Sequence, residues 1–237
     1  MAKIIILESS TEVCSAALST EGRLIALKED KSGQNHARLL TVFVEQLLAE
    51  NAILANEIDA VAVSMGPGSY TGLRIGVSAA KGFCYAQQVP LIAISTLKAM
   101  AQKVISDYAA AGQASGKGRL FCPMIDARRM EVYTCLLDEN GDELEPVSAK
   151  IITDESFHDE LQQNEIVFFG NGAMKCQSKI GHEKAVFLDN MGASAAWMCQ
   201  LAEEAYTKKQ FEDVAYFEPF YLKDFVATAP KNNVIGK

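Results

Sequence analysis

The sequence predicts an α/β protein of two tandem lobes, each a mixed sheet flanked by helices. Three observations predict it: an order of elements that repeats, a small-polar break between the copies, and a glycine-rich loop opening into a helix in the first copy.

The first copy begins with three strands, Lys3 to Glu8, Val13 to Ser19 and Leu24 to Asp30, joined by turns at Ser9-Ser10-Thr11 and Glu21-Gly22. Short apolar or alternating runs with tight turns between them make an antiparallel meander. Asn35 then opens a helix from His36 to Glu50, where Leu40, Val44, Leu47 and Leu48 face one way. Leu39, Val42, Phe43 and Ala49 widen that stripe beyond what one sheet face covers. Ile58 to Ser64 is a fourth strand, a helix runs from Gly72 to Gln87, and Val89-Pro90 introduces a fifth strand at Leu91 to Ile94. Ser95 or Thr96 caps another helix to about Ala110, which closes a first lobe over residues 1–110. The stretch AGQASGK, Ala111 to Lys117, reads as the linker.

A shorter copy over residues 118–237 follows the same order. Strands are expected at Leu120 to Ile125, Glu131 to Leu137, Val147 to Ile152, Ile166 to Phe169 and Val186 to Leu188, and short helices at Ser156 to Leu161 and Ala173 to Ile180. A long helix is expected from Ala193 to Lys208, and the aromatic segment Glu218 to Leu222 is expected to dock back on the body. Ala229 to Lys237 reads as loose.

Met65 to Gln87 organises the first lobe. Gly66, Pro67, Gly68, Ser69, Tyr70, Thr71 and Gly72 exclude strand or helix and let the backbone approach something closely. Strand, glycine loop and helix in that order present free N–H groups to an anion, although the spacing fits neither a Walker A loop nor a dinucleotide fingerprint. A purely structural turn has the same appearance. In the helix, Ile75, Ala79, Gly82, Phe83 and Ala86 form one apolar arc and Leu73, Val77, Ala80 and Cys84 a second, so the helix is covered on more than one side.

A formal net charge of −8 argues against a stand-alone nucleic-acid binder, which needs clustered Lys and Arg. Lys3 leads directly into Ile4-Ile5-Ile6-Leu7, of strand length, and no run approaches the ~20 apolar residues of a membrane span, so a cytoplasmic protein is expected. Six cysteines lie in apolar surroundings without a C-x-x-C pair and read as buried thiols; His36, His158 and His182 show no ligand spacing, so no metal site is expected.

Particular motifs carry a resemblance. They are Ile6-Leu7-Glu8-Ser9-Ser10-Thr11, His36-Ala37-Arg38-Leu39-Leu40, Gly66-Pro67-Gly68-Ser69-Tyr70-Thr71-Gly72-Leu73-Arg74-Ile75-Gly76, Ala80-Lys81-Gly82, Asp126-Ala127-Arg128-Arg129 and Pro219-Phe220-Tyr221-Leu222-Lys223. The two-lobe order resembles the actin, sugar-kinase and heat-shock-ATPase superfamily, and these motifs resemble the bacterial TsaB (YeaZ) family within it. They are dense to about residue 133 and thin beyond. The resemblance implies a cytoplasmic, non-catalytic scaffold with no cofactor. Such a protein pairs with a larger paralogue, TsaD, and an ATPase, TsaE, joins them to form threonylcarbamoyladenosine at position 37 of tRNAs reading ANN codons. The tRNA is met only through the complex, and the free chain is expected to form a homodimer.

Catalyst and scaffold separate on a few positions. The TsaD enzymes carry an H-x-x-x-H metal pair just after the segment matching Val89-Pro90, and here Thr96 and Met100 stand in its place. Glu8 stands where the family usually has Asp, and Ala127-Arg128 where superfamily ATPases have two phosphate-cradling glycines. Glu8, Ser10, Thr11, Gly66, Gly68 and Thr71 are therefore expected to be remnants of a nucleotide loop, and the alternative is a small ATP-binding kinase or ATPase. The partner contact is expected on Leu39, Val42, Phe43, Ala49, Leu73, Val77, Ala80 and Cys84, with periodicity leaving open which helical arc faces inward. On that assignment a Val77→Arg chain stays folded and fails to associate.

Overall fold

The computed structural model describes residues 2–33, 35–112 and 118–223; most of the linker and the stretch Ala229 to Lys237 lie outside the described residues. The repeat of strands is realised in both sheets. β1 (Lys3–Glu8), β2 (Cys14–Thr20), β3 (Arg23–Asp30), β4 (Ala60–Gly66) and β5 (Leu91–Ser95) form a sheet in the order β3-β2-β1-β4-β5. β6 (Arg119–Asp126), β7 (Glu131–Leu137), β8 (Glu143–Ile151), β9 (Glu165–Phe169) and β10 (Ala185–Leu188) form the second in the order β10-β9-β6-β7-β8. Each first strand pairs antiparallel with the next in sequence and parallel with the fourth, so the two sheets share one topology.

α1 (His36–Glu50) and α2 (Tyr70–Gln87) cover one face of the first sheet over Leu7, Leu18, Val61 and Val63. α3 (Thr96–Ala110), capped by the Ser95 hydroxyl, lies between the sheets, with Leu97, Met100 and Val104 on Phe121, Val167 and Phe169 of the second. α4 (His158–Gln163) covers the outer face of the second sheet.

Three expectations for the second half change. Ala173 to Ile180 contains only a 3-10 turn at Met174–Cys176, with Ala173, Cys176 and Ile180 buried in the second lobe's core. The expected long helix is a 3-10 turn at Ala195–Met198 followed by α5 (Cys199–Thr207). Its small face, with Ala195, Cys199, Ala202 and Ala205, packs on Ile4, Ile6, Ala60 and Ile92 of the first sheet. A lobe boundary at residue 118 therefore does not hold for the C-terminal helix, which crosses back because the first sheet has a second apolar face to cover. Among the described residues no helix is long and apolar enough to cross a membrane.

The rotation of α2 is fixed by its glycines. A Cβ on Gly68 would lie 2.3 Å from the Ser10 carbonyl oxygen, one on Gly72 2.1 Å from that of Ser9, and one on Gly76 2.3 Å from the Ser9 hydroxyl. The backbone these glycines admit is thus the chain's own β1–β2 turn, and the Gly72-Gly76-Ala80 ridge faces inward. It follows that Leu73, Val77, Ala80 and Cys84 are 1%, 5%, 0% and 1% exposed, which corrects their expected place on an outer contact face. Phe43, at 9%, is likewise core. Of the expected contact residues, Val42 and Ala49 are exposed and Leu39 is half-buried. The outward arc of α2 is the other one, with Ile75, Ala79 and Phe83 half-buried and Gly82 and Ala86 exposed.

Candidate functional site

Two concave features stand out, a cleft between the lobes and a groove between α1 and α2. The cleft, of about 860 Å³, is walled on one side by Ser10, Thr11, Glu12, His36 and the Gly68–Gly72 loop. Ile125 to Arg128, Tyr133 and Asn171 form the other wall. His36 Nε2 lies 3.0 Å from the Thr11 carbonyl and 3.3 Å from that of Val13, so it donates into the first turn and ties α1 to it. The Ser69 amide donates to the Ser10 carbonyl at 2.6 Å, and the Ser69 hydroxyl caps α2 by accepting from the Gly72 amide. Across the cleft the Asn171 side chain donates to Glu12 Oε2 at 2.7 Å and accepts from the Asp126 amide at 3.0 Å.

The expected nucleotide-loop residues divide. Ser10, Thr11, Gly68 and Thr71 line the cleft, while Glu8 and Gly66 do not. Gly66, at φ +112°, is covered by the C-terminal segment, whose Phe220 carbonyl would lie 2.9 Å from a Cβ there. Glu8 lies under the turn, fully buried. Its Oε1 accepts from the Ser10 amide at 2.6 Å and the Ser64 hydroxyl at 3.0 Å, and its Oε2 is sealed from solvent without a partner. Burial pushes the Glu8 carboxyl up from its ordinary range, and the bonds from Ser10 and Ser64 oppose that shift only in part. A buried acid that does not reach the cleft is no ligand for a metal-bound nucleotide, so Glu8 leaves the expected set of nucleotide-loop remnants. Because its folded-state pKa is raised, the stability Glu8 contributes is fully present below the unfolded carboxyl value and is lost as pH rises through the folded one. A Glu8→Gln chain keeps the Oε1 acceptor without an ionisable group. It is expected to be more stable than the parent at neutral pH by about 1 kcal/mol or more, with the gap closing towards pH ~4. Urea midpoints measured across that range check this, and a variant less stable at every pH contradicts it.

The second-lobe turn carries backbone strain. Arg128 and Arg129 have φ of +70° and +51°, the left-handed region that glycine favours and that costs other residues roughly 1–2 kcal/mol each. Lys175 braces it: its Nζ donates to Asp126 Oδ1 at 2.5 Å, to the Arg129 carbonyl at 2.7 Å and to the Glu131 carbonyl at 2.8 Å. The Arg128 amide donates to Asp126 Oδ1 at 2.7 Å.

The C-terminal segment docks as expected and roofs the cleft. The Phe220 amide donates to the Met65 carbonyl at 2.8 Å, the Tyr221 and Tyr70 rings lie 4.9 Å apart, and Lys223 forms an ion pair with Glu131 of the second lobe. Sequence reasoning missed Glu12, Tyr133, Asn171 and Lys223 as cleft residues. The repeat itself held the signal for Asn171, since Gly170-Asn171-Gly172 follows β9 as Gly66-Pro67-Gly68 follows β4.

The groove, of about 460 Å³, opens between Thr41, Val44, Glu45 and Leu48 of α1 and Ser78, Ala79, Gly82 and Phe83 of α2, and reaches down to Ile5, Leu7 and Val61. It is an apolar channel left by small residues on α2, with no atom within 4 Å of a Cβ placed on Gly82.

The six cysteines are free and buried. Burial raises the Cys14, Cys84 and Cys199 thiols to about 11 and Cys135 to about 12, so none is a nucleophile near neutral pH. Thr96 and Met100, expected in place of the paralogue's metal pair, are 0% and 1% exposed, so neither faces the cleft.

A family model described as TsaD: tRNA N6-adenosine threonylcarbamoyltransferase matches residues 29–231. The chain is similar to the tRNA threonylcarbamoyladenosine biosynthesis protein TsaB of Escherichia coli, 30% identical over 95% of this chain and 96% of that one. The protein of the same description from Haemophilus influenzae is 28% identical over 94% of each chain. Among solved structures, YeaZ from Pseudomonas aeruginosa superposes with a TM-score of 0.77 at 26% identity, covering 94% of this chain and all of that one. With two lobes of one topology, the extended glycine loop set against the first turn, and a 30% identical relative matched along nearly its whole length, the chain belongs to the TsaB (YeaZ) family.

Proposed function

We propose that the chain works in the cytoplasm as a non-catalytic subunit in forming N6-threonylcarbamoyladenosine at position 37 of tRNAs reading ANN codons. Its partner is a TsaD-type transferase, with a TsaE-type ATPase joining the pair. The observation that carries this reading is the open apolar groove between α1 and α2, lined by Val44, Leu48, Ala79 and Phe83. The contact is assigned to Val44 and Leu48 of α1 with Ile75, Ala79, Gly82 and Phe83 of α2, in place of the inward arc. Two helix pairs meeting there would form a four-helix bundle. Pairing of the same face between two copies would give a homodimer that competes with the heterodimer.

The interlobe cleft favours a second reading, a small ATP-binding kinase or ATPase. Against it stand Glu8 beneath the cleft wall and the Ala127 and Arg128 side chains where a γ-phosphate would lie. Two measurements separate the readings. Size-exclusion with light scattering on the chain mixed with a TsaD-type paralogue is expected to give a one-to-one complex that forms at the expense of the homodimer. ATP hydrolysis by the isolated chain is expected to stay at background; turnover lost on Arg128→Ala would establish the second reading instead.

A further inference from the structure

The Asp126–Glu131 turn holds two guanidinium groups that nothing in the fold uses. Among the described residues neither the Arg128 nor the Arg129 side chain forms a hydrogen bond or an ion pair, and both residues are exposed at or beside the cleft mouth. Their backbone conformation is one that side chains rarely adopt, at φ +70° and +51°, and it is held by three bonds from one buried-stem lysine, Lys175. Strain kept in place by a dedicated brace points to a role for the groups it presents.

Electrostatics give the ligand its sign. Lys175 pairs with Asp126 and Lys223 with Glu131, which leaves two arginines against one further carboxylate of the cleft wall, Glu12, which accepts from Asn171. In a chain of formal net charge −8 this is a locally cationic spot. Guanidinium forks match phosphate oxygens in bidentate geometry better than any other side chain does.

We propose that Arg128 and Arg129 hold the phosphodiester backbone of the tRNA when the chain is in its complex with the transferase. This rests on the function proposed above. The contact positions RNA without reading its sequence, so its signature is electrostatic.

The test uses the full chain reconstituted with a TsaD-type paralogue, complex formation being checked by light scattering before RNA is added. Binding of labelled tRNA is then followed by fluorescence anisotropy over a salt series. The double variant Arg128→Gly/Arg129→Gly suits the left-handed backbone, so it keeps the turn while removing both charges. It is expected to weaken tRNA binding equally for different tRNAs and to flatten the log–log salt slope by about 1.5, at roughly 0.7–0.9 per phosphate contact. Arg128→Lys/Arg129→Lys, which keeps the charge, is expected to retain most of the slope. An unchanged slope in an intact complex overturns this inference alone, and failure of the unsubstituted chain to form a complex overturns it together with the proposed function. Loss of ATP binding by the isolated glycine variant, measured by calorimetry with the RNA slope unchanged, would reassign the turn to a free nucleotide.

Discussion

Ala79→Arg is expected to abolish association with the transferase, by more than about 100-fold, and to leave the chain folded. The Ala79 side chain points into the groove on the outward arc of α2, so in the free protein an arginine there extends into water. In the proposed complex the same group would be desolvated against apolar surface without a partner, a cost of several kcal/mol. Val77→Arg is its counterpart. Val77 is 5% exposed and packs between α2 and the first sheet, so a charge there is buried in the monomer and the expected result is an unfolded chain. Circular dichroism and light scattering on both variants decide the matter. If Ala79→Arg associates normally, the contact lies elsewhere; if Val77→Arg stays folded, the inward arc has been misassigned.

Gly72→Ala is expected to destabilise the chain by about 3 kcal/mol or more, while Gly82→Ala, ten residues along the same helix, stabilises it by about 0.5–1 kcal/mol. Ordinary helix propensity favours alanine at both places. At Gly72 the added methyl group meets the Ser9 carbonyl oxygen at 2.1 Å, and that backbone is pinned by the Ser9 hydroxyl donating to the Gly72 carbonyl at 2.8 Å. At Gly82 the methyl meets nothing within 4 Å. Because Gly82 lines the groove, the stability gain is expected to come with weaker partner binding, which separates the roles of the two glycines. Urea midpoints for the two variants check the signs, and equal effects would refute the close-approach explanation.

Local patterns carried most of the fold. β1, α1 and β7 lie where alternation and periodicity put them, although the Asn35 side chain makes no capping bond to α1, and the repeated order of elements predicted two sheets of one topology. The elements that went astray depend on tertiary packing: Ala173 to Ile180 has helical composition, but it packs Ala173, Cys176 and Ile180 into the core around a single 3-10 turn. α5 follows the second copy in sequence yet packs on the first sheet, and composition does not record which apolar face a helix will cover.

The candidate site was legible by composition and not by depth. Ser10, Thr11, Gly68 and Thr71 belong to the cleft as motifs suggest, whereas Glu8, one pleat earlier on β1, points into the core. Asn171 meets Glu12 across 159 residues, Lys223 meets Glu131 across 92, and Tyr133 lies under Lys223 of the roofing tail, so no local window contains them. The two arcs of α2 are equally apolar in sequence, so only the steric demand of Gly68, Gly72 and Gly76 against Ser9 and Ser10 tells which turns inward.

The central claim is that this chain supports a transferase without itself performing the transfer. It is tested most directly by measuring threonylcarbamoyl transfer to tRNA in a system of the paralogue, the ATPase and this chain, each omitted in turn. No transfer is expected from this chain alone, full transfer from the complete set, loss of transfer when the chain is omitted, and the same loss when Ala79→Arg replaces it. Transfer by the chain without the paralogue, or undiminished transfer in its absence, would contradict the account.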